Sequence, residues 1–438
     1  MPQTDVLSDS LPTAPAAAQP WSAATRLAFR ICFVWFVLYN LPFPLGRVPY
    51  TDEFAAPWQE MWQAVVPWVG RHVLRLENEI TILPAGSGDT TWNYVQLLCM
   101  AAVTVVLAAV WSALDRRRPH YPRLHDWLRV YVRFPLGMTM IAYGAYKVIK
   151  SQFPYPSLTQ LAVPYGDSSP MGLLWRFMGY SPAYNLFTGL GELVGGVLLF
   201  FRRTTIAGAL LLVIVLSNVV ILNYAYDVPV KLYSSNLLAM ALFLLAPDVR
   251  RLFDFLFRNR AVPAAPARRL FRAKVLNLAA DGLKLVLLAF ALYTTLNQSL
   301  QAHRGRELAA RPSLYGTWET EEFVRNGVAL PPLLTDSVRW RGAIVDRGGI
   351  VAVRSMSDVL QVWRLAEDTA ARTITLTAPQ DSTRRWVLAF ERPDPERLVL
   401  SGSLAADTVR VTLRYRDPSG ALLATRGYRW INERPFNR

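Results

Sequence analysis

Apolar residues gather into seven long runs, at 27–45, 93–114, 130–149, 184–201, 204–223, 231–247 and 277–296. A hydrocarbon core about 30 Å thick is crossed by about 20 helical residues, so each run reads as a membrane span. Past about residue 300 the period changes from helical to alternating, the mark of half-buried strands. Strands are predicted over 315–325, 338–346, 350–354, 358–366, 372–378, 384–391, 397–403, 408–416 and 421–430, with turns at Asn326-Gly327, Gly348-Gly349 and Pro418-Ser-Gly420. The pattern predicts an α-helical polytopic membrane protein carrying a C-terminal antiparallel all-β barrel or sandwich domain.

The connections divide by charge. Arg116, Arg117, Arg118, Arg123 and Arg129 fill the second, Arg202 and Arg203 the fourth, and Arg250, Arg251, Arg258, Arg260, Arg268, Arg269, Arg272 and Lys274 the sixth. The positive-inside rule places these in the cytoplasm, so the N-terminus is expected inside and the β domain outside a bacterial inner membrane. Two further pieces look interfacial: the connection 46–92, with Trp58, Trp62, Trp68 and Trp92, and the segment 171–178, with Trp175 and Arg176. Five regions follow: a disordered cytoplasmic tail (1–26), two N-terminal spans with an outer interfacial loop (27–127), a four-helix bundle (128–257), a basic loop with the seventh span (258–311), and the β domain (312–438). Met1 to Gln19 is rich in Ala, Pro and Ser and lacks a basic start, which reads as a tail and not as a cleaved signal peptide.

Composition supports the membrane reading. Of 438 residues, 52% are hydrophobic and only 18% charged, too apolar for an ordinary soluble chain of this size. The net charge of +15 comes in short arginine blocks between apolar runs, where topology explains it and a nucleic-acid partner is not implied. Cys32 and Cys99 lie inside apolar runs and read as small packing hydrophobes. The four histidines are scattered, so no metal site is predicted.

Candidate chemistry lies in the charges that the spans bury. Lys147 ends one apolar run and Glu192 sits mid-run in another. A charge at membrane depth costs about 2.5–3.5 kcal/mol even on the mildest scale, so it turns to a cavity, a partner or a substrate. Tyr143 with Lys147, and Tyr146 with Lys150, are i, i+4 pairs that make two aromatic and ammonium stripes. Asn218, Asn223, Asp227, Lys231 and Ser235 extend the polar set, all toward the outer half of the central spans, which predicts a water-accessible outer crevice. Other readings stay open. Lys147 and Lys150 also fit snorkelling to headgroups, Glu192 fits a structural pair with Lys147 or Lys231, and Asp227 to Lys231 fits a turn with an exposed ion pair. Arg133 is expected to reach cytoplasmic headgroups. The small residues Gly189, Gly191, Gly195 and Gly196 are expected to let helices approach closely, not to cradle phosphate.

The central spans, 128–257, resemble the DoxX-like family, which shares a superfamily with the membrane domain of vitamin K-dependent carboxylases. The resemblance rests on Arg133-Phe-Pro-Leu-Gly137 running to Tyr143-Gly144-Ala145-Tyr146-Lys147, and on Gly191-Glu192-Leu-Val-Gly195-Gly196 followed by the Arg202-Arg203 turn. It implies quinone-linked redox chemistry, with Lys147 as base or hydrogen-bond partner for a quinone oxygen, Glu192 setting its charge, and Tyr143 and Tyr146 beside the ring. The chain departs from the carboxylases in lacking their substrate-recognition apparatus, and no thiol or flavin motif is present. In the β domain, Tyr315-Gly316-Thr317-Trp318 resembles the opening of lipocalin-like barrels, with Arg429 as the expected partner of the Trp. Two functions remain: a quinone-linked oxidoreductase binding a lipid-soluble small molecule, and a non-catalytic membrane scaffold or lipid-binding protein whose β domain engages a periplasmic protein partner.

Overall fold

A computed structural model describes residues 20–46, 51–80, 86–263, 271–306, 311–417, 420–427 and 429–434. The predicted tail over Met1–Gln19, and Pro418 and Ser419 of the third predicted turn, lie outside the described residues. A helix occupies every one of the seven apolar runs: α1 (Ala23–Asn40), α3 (Thr91–Leu114), α4 (Pro122–Val148), α7 (Pro182–Leu199), α8 (Thr205–Ala225), α9 (Lys231–Leu245) and α11 (Lys274–Arg306). The two segments expected to be interfacial are also helical, α2 (Asp52–His72) and α6 (Pro170–Tyr180), and α5 (Leu158–Leu161) and α10 (Val249–Leu256) are short. Among the described residues four helical segments are long and apolar enough to cross a membrane, Thr91–Leu114, Thr205–Ala225, Lys231–Leu256 and Lys274–Arg306, which is consistent with membrane association. Of the other three runs, α4 carries Arg129, Arg133 and Lys147, and α1 and α7 have 18 residues each.

The chain forms two compact units. The first takes the chain up to Met140 together with Val194–Leu288; the second takes Ile141–Leu193 and Ala289–Arg438. The core of the first unit joins α1, the first part of α4, α8 and α9 through Phe29, Phe36, Leu136, Leu212, Leu216 and Met240. A smaller cluster seats α2 on α3 through Trp62, Val66, Val95 and Met100.

The second unit is dominated by β1 (Gly316–Arg325), β2 (Val328–Ala329), β3 (Trp340–Asp346), β4 (Ile350–Ser355), β5 (Leu360–Asp368), β6 (Thr373–Thr377), β7 (Arg385–Asp394), β8 (Arg397–Leu404) and β9 (Asp407–Arg416). Strands β1 and β3 to β9 pair antiparallel in order, and β9 closes on β1 from Thr317↔Arg416 to Arg325↔Val409, so eight strands make a barrel. Asn326 and Gly327 both take positive φ in the β1–β2 hairpin, as do Gly348 and Gly349 between β3 and β4, the backbone that two-residue hairpin turns require. The predicted strand over 421–430 is not one: the segment holds a single helical turn, α12 (Leu422–Thr425). The reason is closure. With β1 paired to both β3 and β9, no full-length edge is left to receive a further strand.

The barrel is filled by its own side chains. Alternate residues of each strand point inward, and Trp318, Trp340, Val351, Leu376, Leu400 and Leu413 surround a central void of about 10 Å³, at the lower limit for one water. Trp318 donates its Nε1–H to Leu314 O at 2.9 Å, and the guanidinium of Arg392, not of Arg429, lies 5.6 Å over its ring.

Candidate functional site

Lys147 and Glu192 form a direct ion pair inside the second unit, and both side chains are buried, at 8% and 3% exposure. Glycines bring them together. A Cβ on Gly144 would stand 2.5 Å from Leu193 N and 2.7 Å from Gly189 O, and one on Gly189 would stand 2.9 Å from Gly144 O and from Lys147 Cβ. Helices α4 and α7 thus touch backbone to backbone at Gly144 and Gly189. Lys147 and Glu192 each lie three residues, nearly one turn, beyond their glycine, so the side chains meet beside the crossing.

The pair is incompletely satisfied. The Lys147 ammonium engages Glu192 Oε1, while Oε2 is buried with no hydrogen-bond partner among the described residues. Two turns earlier on α7, Asn185 is fully buried; its Nδ2 donates to Met178 O at 2.6 Å and its Oδ1 has no partner among the described residues. Ser299 of α11 is equally buried, with an unpartnered Oγ. With Thr159 Oγ1 of α5, the helices of this unit hold four buried oxygens without a partner among the described residues, although buried polar atoms are nearly always paired.

The end of α4 is held tightly. Ser151 N donates to Tyr146 O and Lys150 N to Lys147 O, with Lys150 at φ 59°, a Schellman cap in which a lysine takes the position that glycine usually fills. The Lys150 ammonium lies 5.8 Å over the Tyr155 ring, which neighbours Tyr180 at 6.3 Å. Tyr143 and Tyr146 meet edge to face at 6.4 Å, and Tyr146 Oη donates to Gln298 Oε1 at 3.4 Å. The barrel docks on the segment that follows. Asp346 Oδ2 accepts from Thr159 N at 3.2 Å, capping α5, and Arg354 Nη2 donates to Ala162 O at 3.0 Å; from the end of α11, Arg306 Nη1 donates to Ser151 O at 3.1 Å. Burial first, and then charge repulsion from Tyr180, push the Tyr155 phenol above its ordinary value.

The remaining predicted residues belong to the first unit. Lys231 Nζ contacts Asp227 Oδ1 at 2.7 Å across the exposed turn. Asp89, which the sequence did not single out, accepts Lys231 N at 2.8 Å and Leu232 N at 3.0 Å, so it caps α9 with a carboxylate at the positive end of the helix. Asn223 is buried with Nδ2 unpartnered, and Ser235 Oγ lies 3.4 Å from Tyr224 Oη. Asn218 is on the exposed face of α8. Arg133 is buried and donates from Nε to Leu199 O at 2.7 Å, and Arg129 donates to Leu244 O at 3.1 Å. Both arginines cap the negative C-terminal ends of helices, which replaces the expected reach of Arg133 to headgroups.

A second buried charge also escaped the sequence reading. Arg30 of α1 donates from Nε and Nη2 to Tyr121 Oη, from Nη1 to Ser112 Oγ at 2.8 Å and from Nη2 to Asp115 O at 2.8 Å, and Tyr121 Oη donates to Asp115 Oδ2 at 2.9 Å. The rule that flagged Lys147 flags Arg30 too, since it lies inside the first apolar run. Ser299 had a fainter signal, the i, i+4 line of small residues Ala291, Thr295 and Ser299 that is the buried stripe of α11. Among the described residues no group of three or more His, Cys, Asp or Glu could hold a metal.

No family model matches the chain, and no solved structure matches it. It is similar to YwoB, an uncharacterised protein of Bacillus subtilis (strain 168), with 35% identity over 130 residues. The match takes in 30% of this chain and 82% of YwoB. With that identity across most of the relative's length, the chain belongs to the family of YwoB.

Proposed function

We propose that this is a DoxX-like, seven-span inner-membrane protein, with a cytoplasmic N-terminus and an extracytoplasmic barrel, that binds a quinone or similar lipid-soluble ring beside Lys147 and Glu192. The observation that carries the reading is the half-satisfied pair: a buried carboxylate with one oxygen on an ammonium and the other oxygen free. A purely structural ion pair gains by closing all of its hydrogen bonds, whereas a binding site keeps one open. In the redox version, Lys147 is base or hydrogen-bond partner to a ring oxygen, Glu192 sets its charge, and Tyr143 and Tyr146 flank the ring.

Mass spectrometry of small molecules retained by the gently solubilised protein tests this directly. A copurifying quinone that is lost in Lys147→Ala and Lys147→Arg supports the reading. Unchanged retention and unchanged quinone-dependent turnover in both variants would remove Lys147 from the mechanism.

The second reading, a non-catalytic scaffold whose β domain engages a periplasmic protein, draws on the filled barrel. A barrel with a void of about 10 Å³ offers a partner its outer surface and rim, where Val328, Leu333 and Leu334 are exposed. A stoichiometric protein partner in the same preparation, with no retained ring compound, favours this reading.

A further inference from the structure

Helix α8 has its exposed residues on one line. Ala207, Ile214, Asn218, Ile221 and Ala225 are exposed, and with half-buried Leu211 they repeat at spacings of four, three, four, three and four residues. That is the heptad seam of a left-handed helix pair, closed at both ends by alanine. Tyr224 is the one other exposed residue of the helix. Among the described residues Asn218 has no hydrogen-bond partner for its amide, and its neighbours along the seam, Ile214 and Ile221, are 64% and 65% exposed. The helix is among those long and apolar enough to cross a membrane, and Asn218 lies seven residues from its end at Ala225, about 10 Å in. At that depth hydrocarbon offers the amide neither a donor nor an acceptor.

We propose that this seam is a self-association surface, on which α8 of a second copy of the chain packs and the two Asn218 amides hydrogen-bond each other. The occupant follows from complementarity. A primary amide carries both donor and acceptor, so under a two-fold axis each Asn218 supplies what the other lacks. A single asparagine in an otherwise apolar seam also fixes the register. The alanines at the ends let the two backbones come close. Lipid leaves the amide unpaired, and an unrelated partner needs a matching polar group that nothing on the surface specifies.

The full-length chain in lipid vesicles tests the proposal in two ways. Single-vesicle photobleaching at falling protein-to-lipid ratio is expected to give two-step vesicles in excess of chance. Asn218→Leu should weaken association by about fivefold to thirtyfold, and Asn218→Gln, which keeps the amide, should retain most of it. Because Asn218 is exposed and unpaired within one copy, the Leu variant should keep the wild-type melting temperature at a protein-to-lipid ratio low enough for both to be single copies, which separates lost association from lost fold. In a Cys32→Ala, Cys99→Ala background, Ile214→Cys and Ile221→Cys should cross-link on oxidation and buried Leu212→Cys should not. One-step vesicles throughout would overturn the proposal. So would association that Asn218→Leu leaves unchanged, or two-step vesicles with no cross-link through Ile214 or Ile221.

Discussion

Arg30 and Lys147 are both cations buried among helices, one in each unit, and their surroundings differ in one respect. Arg30 donates to Tyr121, Ser112 and the Asp115 carbonyl, its guanidinium lies 5.4 Å from the Tyr121 ring, and Tyr121 passes the contact on to the Asp115 carboxylate. Lys147 meets one oxygen of Glu192 and leaves the other bare, two turns from the bare Oδ1 of Asn185. Burial alone therefore does not separate a lock from a site. The hydrogen-bond account does: a closed network specifies packing, and an open one has room for a group the chain does not supply.

The comparison breaks first at Arg30. Arg30→Met removes the centre of a closed network and should lower stability by about 3–5 kcal/mol, the usual result of breaking a buried charged cluster by one partner. Thermal unfolding of the purified protein in detergent would show it, and a loss under about 1 kcal/mol would mean that the cluster is not the lock described. Lys147→Met strands Glu192 and should cost about 3 kcal/mol in the same assay. Adding Glu192→Leu removes the stranded charge, and the double variant should return to within about 1 kcal/mol of wild type. The site reading then makes a sharper demand, since the restored protein should still retain no ring compound. Restored stability together with wild-type retention would reduce Lys147 and Glu192 to packing.

A smaller effect tests how the pair is positioned. Gly189→Ala puts a methyl 2.9 Å from Gly144 O and Lys147 Cβ, so α4 and α7 must separate by several tenths of an ångström. Overpacking of this size costs about 1–3 kcal/mol. It should also weaken ligand retention, because Lys147 and Glu192 meet only while the helix backbones touch. A stable Gly189→Ala protein with full retention would show that the close crossing is not what sets the site.

The parts of this arrangement that could be read from the chain are those governed by a local period. Seven apolar runs gave seven helices, eight alternating runs gave the eight barrel strands, and Asn326-Gly327 and Gly348-Gly349 are turns because their φ values are positive. The misread strand over 421–430 failed for a nonlocal reason, the meeting of β1 and β9 more than 80 residues apart. The same holds for the Trp318 partner, where strand order puts Arg392 over the ring and leaves Arg429 exposed. Lys147 and Glu192 were legible as isolated costs, but not as a pair with a free oxygen, which depends on where Gly144 meets Gly189. Asp89 was not legible, since its partner is a helix end some 140 residues later.

The least perturbing test separates the barrel from the helical site by pH. Asp336 accepts Val338 N at 2.7 Å and Arg339 N at 2.9 Å, and these bonds, that from Arg339 first, hold its carboxyl below the usual carboxylate value of 3.8. Because the folded value is the lower one, the stabilisation is complete above the unfolded value and fades as pH falls through the folded one. Acid below about pH 4 should therefore loosen the loop that Arg339 pins through Leu330 O and Met356 Sδ. The tilted Trp363 and Trp386 rings, with centroids 3.9 Å apart, supply a circular-dichroism signal for the barrel alone. Its melting temperature in the full-length protein should drop between pH 5 and pH 3, and Asp336→Asn should flatten that drop. An equal drop in wild type and variant would assign the acid sensitivity to other carboxylates, with Asp407, held low by Arg325 and Asn326, the next to replace.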